Sequence, residues 1–98
     1  MIACDSKKAA FWFYQAAKQG HAVAQYELGR CFEDGIGLAK NPEEAFKWYL
    51  RSAKQNYDKA KYIVALCYRD GFGVEEDQDK YYKWIEDFAV HTGYGKGR

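Results

Sequence analysis

Proline occurs once in the 98 residues, methionine once and histidine twice, and lysine plus arginine exceed the carboxylates by a single charge. Each shortage excludes something. A lone proline argues against an extended linker or a disordered tail of any length. A net charge of +1 provides no electrostatic footprint for DNA or RNA, so no nucleic-acid partner is expected. No apolar run approaches the ~18 residues of a membrane span, so no membrane contact is expected. The stretch from Met1 to Cys4 is too short for a signal peptide, with Asp5, Lys7 and Lys8 following at once. His21 and His91 stand far apart without a cysteine or second histidine at ligand spacing, so neither a metal nor another cofactor is expected.

Cysteine is scarce too, and its three copies are an odd number. Cys31 and Cys67 hold the same place in successive repeat units, as shown next. Equivalent sites on neighbouring helices lie about 8–10 Å apart, beyond the roughly 7 Å Cα limit for a disulfide. Both therefore read as small core residues with free thiols, which favours a reducing, cytoplasmic setting.

What the chain does have is a period. Tryptophan recurs at 12, 48 and 84, a step of 36 residues, and the three rings are expected in equivalent interhelical positions. The same step carries Asp34-Gly35-x-Gly37 onto Asp70-Gly71-x-Gly73, Tyr26 onto Tyr62 and Ala17 onto Ala53 and Ala89. Setting 21–56 over 57–92 gives nine identities in 36 positions, and conservative pairs such as Leu28 with Val64 fill in between. Residues 9–20 overlay on 45–56, so the chain begins inside a unit. A fixed period in this range marks a solenoid whose units pack only on their neighbours. The expected fold is all-α, an α/α superhelix of about two and a half 36-residue helix-turn-helix units with five helices. The expected division is a half unit at 5–20 with helix B only, a unit at 21–56, a unit at 57–93 ending in a capping helix, and a flexible tail at 94–98. The high aromatic content, 18%, fits rings filling gaps between thin helices.

Within one unit the punctuation is explicit. Residues 21–33 place Ala24, Leu28, Cys31 and Phe32 on one face of helix A. Gly35 accepts the left-handed conformation that ends a helix, and Ile36 and Leu38 can tuck back onto the core. Asn41 then reads as an N-cap, Pro42 as the first helical residue, and Glu43 and Glu44 as carboxylates on the positive helix end. Helix B presents Ala45, Trp48, Tyr49, Ser52 and Ala53 and stops at Asn56. Asp5, Asn41 and Asp77 are equivalent N-caps one period apart.

This pattern of Ala24, Leu28, Gly29, Phe32, Gly35, Gly37, Leu38, Ala45, Trp48, Tyr49, Ser52 and Ala53 resembles the Sel-1-like repeat, a relative of the tetratricopeptide repeat. The second unit departs from it, with Ala65 for the helix-A glycine, Tyr81 for Ala45 and Ile85 for Tyr49. The resemblance implies an adaptor: members are generally non-enzymatic, form curved superhelices and bring proteins together. One cysteine-rich bacterial branch has been credited with β-lactamase or penicillin-binding activity, but it carries two cysteines per unit where this chain has one.

The leading expectation is thus a non-enzymatic scaffold that holds a protein or peptide partner in a groove. Its alternatives are a structural or regulatory appendage acting through its ends and, remotely, a β-lactam or cell-wall hydrolase. No Ser/His/Asp or Cys/His set supports catalysis. Asp34 and Asp70 belong to turns, and the glycine pairs lack the strand and the Lys-Ser/Thr of a phosphate loop. The candidate groove is the helix-A stripe where the units disagree in type: Val23, Glu27 and Arg30 against Lys59, Ile63 and Leu66. First helices of such solenoids line the concave face. Gln25, Glu33, Lys61 and Arg69 are expected to form a mixed-charge rim, and Ile63 and Leu66 beside Lys59 to suit an acidic-apolar segment. The run Ala9 to Tyr14 is apolar nearly all round, which normally means burial. With no helix A ahead of it, Ala10, Phe11 and Tyr14 are expected to pair with a second copy in a two-fold dimer, the alternative being cover by an upstream repeat of a longer protein, while Glu86 and Asp87 give the last helix a polar outer face.

Overall fold

The computed structural model describes residues 6–92; the side chains of His91 and Thr92, and with them Cys4, the Asp5 cap and the tail at 94–98, lie outside the described residues. Five α-helices follow one another: α1 Ser6–Lys18, α2 Ala22–Asp34, α3 Pro42–Ala53, α4 Asp58–Asp70 and α5 Gln78–Thr92. There is no strand among the described residues. Each helix packs chiefly on the one before it and the one after it, and the whole is elongated, 46 × 25 × 24 Å. That is the pattern of a solenoid, in which contacts are nearest-neighbour.

The period recurs in the hydrogen bonds. Asn41 N–H donates to the Phe32 carbonyl at 2.9 Å, and Asp77 N–H does the same to Tyr68 at 2.9 Å. Asn41 Oδ1 accepts from Glu44 N–H at 3.2 Å and Asp77 Oδ1 from Lys80 N–H at 3.1 Å, satisfying donors that a helix start leaves unpaired. Gly35 and Gly71 end α2 and α4 in the left-handed region, and Asn56 does so after α3.

Burial follows the predicted stripes. Ala24, Leu28 and Cys31 on α2 and Ala45, Trp48, Tyr49, Ser52 and Ala53 on α3 are all buried. Phe46, which the pattern did not single out, joins them through the following unit's loop, with Tyr68 edge-on to its ring at 5.3 Å. Ile36 stays exposed while Leu38 packs on the core. Gly29 is close-packed: a Cβ there would sit 2.7 Å from Tyr49 Cδ1. The second unit changes both equivalent positions together, to Ala65 and Ile85, a larger residue on helix A and a smaller one on helix B. The departure from the pattern is a paired exchange of volume.

Three expectations need correction. Gln25 and Lys61 are not on a charged rim; they are 5% and 0% exposed. Gln25 donates Nε2 to the Ala17 carbonyl at 3.1 Å and accepts from Gln55 Nε2 at 2.9 Å. Its equivalent Lys61 sits 2.9 Å from Asp87 Oδ2 on α5. The position is an internal polar strut between helices, which periodicity alone cannot tell from a solvated one, because a buried polar group needs only a partner. Asp87 accordingly turns inward to Lys61, and the outer side of α5 carries exposed Tyr82 and Val90 beside Glu86. Finally, the tryptophans are equivalent in register but not in burial: Trp48 is 7% exposed and Trp12 66%. Trp48 is covered by the preceding unit, which Trp12 lacks among the described residues.

Candidate interaction surface

The type-switching stripe lies on α2 and α4. Val23, Arg30 and Lys59 are exposed, and Glu27 is half-buried with its carboxylate 3.8 Å from Arg30 Nη1. An exposed pair of this kind contributes little to stability. Ile63 and Leu66 are half-buried and line a recess of about 340 Å³ together with Glu33, Cys67, Asp70, Gly71 and Phe72. The structure therefore brings Ile63 and Leu66 together at one depression and leaves Val23, Glu27, Arg30 and Lys59 beyond its lining. Phe72 and Asp70 were missed as lining residues, because a loop that returns over a helix end has no periodic signature.

The recess is acidic at its polar edge. Glu33 Oε1 accepts the Tyr49 hydroxyl at 2.5 Å, which ties the edge to the core of α3. Asp70 is held by Arg69 through Nε at 3.0 Å and Nη2 at 3.2 Å, and that guanidinium keeps its carboxyl below the usual range. Burial, with Glu33 and Asp70 adding to it, pushes the Cys67 thiol up to about 12, and burial likewise raises Cys31. Both thiols are free and buried. Burial and the hydrogen bond to Glu33 raise the Tyr49 phenol far above its ordinary value. None of these groups is poised as a nucleophile near neutral pH.

The sign of the linkage is fixed by these directions. Cys31, Cys67 and Tyr49 all hold their protons more tightly in the folded chain than when unfolded. Their contribution to stability is complete below the ordinary thiol value of 9.0 and falls away as pH rises above it. Urea midpoints should therefore hold steady from pH 7 to about 9 and then drop. Thiol titration at pH 8 should be slow for Cys31 and Cys67 when folded and prompt in denaturant; equal rates for these two thiols would contradict the burial.

Among the described residues no group of His, Cys, Asp and Glu is placed to hold a metal ion, and no helix is long and apolar enough to cross a membrane. His21 is exposed at the start of α2, and its side chain makes no cap hydrogen bond. At the N-terminal end, Phe11 and Tyr14 are 55% and 41% exposed, whereas Ala10 is 3% exposed, packed inside the chain against the Gly37 loop. Of the residues expected to meet a second copy, Ala10 is thus already occupied.

Helix pairs stacked at a fixed period define a helical-repeat protein. The family comparison is specific: the Sel1 repeat matches residues 3–21, 22–57 and 58–86, and the chain belongs to the Sel1 repeat family. Among solved structures, a Sel1 repeat protein from Oxalobacter formigenes is 32% identical, with a TM-score of 0.86 over 89% of this chain and 25% of that one. A protective antigen of uropathogenic Escherichia coli displaying an SLR fold is also 32% identical, with a TM-score of 0.83 over 86% of this chain and 18% of that one. The DAP3-binding cell death enhancer 1 of Rattus norvegicus is 40% identical over 43 residues, 44% of this chain and 8% of the relative. The chain therefore spans a quarter or less of each of these proteins.

Proposed function

We propose that this chain is a non-enzymatic interaction module that holds a segment of a partner protein across the α2–α4 face. The recess floored by Ile63, Leu66 and Phe72 carries the reading, because it is a largely apolar pocket at the helix-A stripe where the two units differ in residue type. Pockets of this kind seat an anchoring side chain of a docked segment. Glu33 and Asp70 at its edge favour an apolar anchor with a basic neighbour, and the acidic stretch expected beside Lys59 and Arg30 would lie further along the same face. The family's fold, and a relative whose name includes the binding of another protein, support the same reading.

Affinity capture with the full chain tests it. Ile63→Asp and Leu66→Asp should each remove a captured partner, while helical circular dichroism stays that of the parent. Charge reversal at Arg30 and Lys59 should weaken the same partner several-fold and flatten its salt dependence. A partner indifferent to all four substitutions binds elsewhere, and the groove reading fails.

A further inference from the structure

Around the recess the two units can be compared position by position. Ile63, Leu66 and Phe72 stand where the first unit has Glu27, Arg30 and Ile36. Glu27 and Arg30 are turned on each other at 3.8 Å, whereas their apolar counterparts border an opening of about 340 Å³. The two carboxylates at its lip differ as well. Asp70 belongs to the same unit and is held by the Arg69 guanidinium, through Nε at 3.0 Å and Nη2 at 3.2 Å. Glu33 reaches the lip from the preceding unit and accepts the neutral Tyr49 hydroxyl at 2.5 Å. Among the described residues it pairs with no cation. The charge left to be matched at the lip is therefore that of Glu33.

The hydroxyl that holds Glu33 is itself held. Tyr49 is 1% exposed, its ring lies where a Cβ on Gly29 would come within 2.7 Å, and the Tyr26 ring stands 5.7 Å away. A ring so confined fixes its O–H, and through it one oxygen of a side chain that is otherwise exposed. The rotamer freedom a glutamate ordinarily loses on meeting a ligand is then already lost in the free protein. In the second unit the whole set changes together: Gly29, Tyr49 and Glu33 become Ala65, Ile85 and Arg69. We propose, resting on the reading that the recess seats an apolar anchor, that Glu33 selects a lysine or arginine next to that anchor and that Tyr49 is its positioning residue. The occupant is a partner segment with one large apolar side chain in the recess and one basic residue within reach of Glu33. A segment with a carboxylate there meets like charge and is rejected. Asp70, already matched by Arg69, does not take part in the choice.

A panel of short synthetic peptides, read by fluorescence anisotropy against the full chain, is the test. Each carries a central leucine in a serine–glycine background, with arginine, glutamine or glutamate at one flanking position. The best arginine peptide should bind about tenfold more tightly than its glutamine counterpart, as one charge-assisted hydrogen bond is worth. The glutamate peptide should bind more weakly than both, and raised salt should narrow the differences. Glu33→Gln should bring the arginine-to-glutamine ratio to about one and leave the glutamine peptide's affinity as it was. Tyr49→Phe keeps the ring in the core and should lower the ratio to about two- to threefold, yet add nothing on top of Glu33→Gln. A hydroxyl with a purely structural role would not move that ratio. Removing the other pair as a whole, by Arg69→Gln with Asp70→Asn, should leave the ratio unchanged. Should Tyr49→Phe unfold, Glu33→Gln on its exposed side chain still decides. A ratio that survives Glu33→Gln, or that vanishes with the Arg69–Asp70 pair instead, overturns the proposal. Equal affinities for all three peptides, with binding abolished by Ile63→Asp, overturn it while leaving the recess as an anchoring pocket. Binding indifferent to Ile63→Asp, or no binding by any peptide, removes the pocket reading and this inference with it.

Discussion

Trp48→Ala is expected to lower the stability of the chain by about 3–5 kcal/mol, the range for removing a buried large aromatic. The ring is 7% exposed and stands in the cluster of Ala17, Ala24 and Leu28 that joins α1, α2 and α3. Arg51 lies over its face at 4.6 Å, so the substitution also removes a cation–π contact. A small domain has only about 5–15 kcal/mol in hand, so part of the population should unfold at room temperature. Trp12→Ala is the internal control. It removes the same residue from the same repeat position, but that ring is 66% exposed, and the stability of the monomer should change by only about 0.5 kcal/mol. Urea unfolding followed by circular dichroism compares the two. Equal losses would mean that the tryptophans are structurally equivalent after all.

The second large effect is expected at Gly73. Its φ is +71°, and a Cβ added there would collide with the Pro42 carbonyl and come within 3.0 Å of Phe46 Cβ. Gly73→Ala should cost about 2–5 kcal/mol, from left-handed strain of about 1–2 and overpacking of about 1–3. Gly37 repeats the arrangement against the Ser6 carbonyl and Ala10. Gly71 separates the two causes, because its φ is also +71° but the nearest atom to an added Cβ is 3.6 Å away. Gly71→Ala should therefore cost only the strain, about 1–2 kcal/mol. If Gly71→Ala and Gly73→Ala destabilise equally, close approach between the loop and the start of α3 is not what holds glycine at 73.

These two sites show how unevenly the sequence discloses the fold. The Trp and the Gly-x-Gly pair are visible as a period, and their recurrence suffices to place five helices and the caps at Asn41 and Asp77. The same period gave the positions of Cys31 and Cys67 as buried small residues. It could not say which of the two glycines in each pair faces open space and which is pressed on a backbone carbonyl. It also placed Gln25 and Lys61 on a polar face, because a glutamine and a lysine at one register read as solvated until the partners at Gln55 and Asp87 are seen. The candidate groove was half legible: Ile63 and Leu66 were marked by their change of type, but Phe72 and Asp70 reach the recess only through the turn after α4.

By itself the sequence determined the helix count, the caps, the order of the units and the membership of a repeat architecture. All of these rest on local signals, the spacing of apolar residues, cap chemistry and turn glycines, and local signals repeat faithfully along a solenoid. Only the tertiary structure decided which copy of each repeated residue is buried. Trp12 and Trp48, Tyr82 and Phe46 are indistinguishable in register and opposite in exposure, because in a stack of nearest-neighbour contacts burial is conferred by the adjoining unit and not by the residue's own sequence.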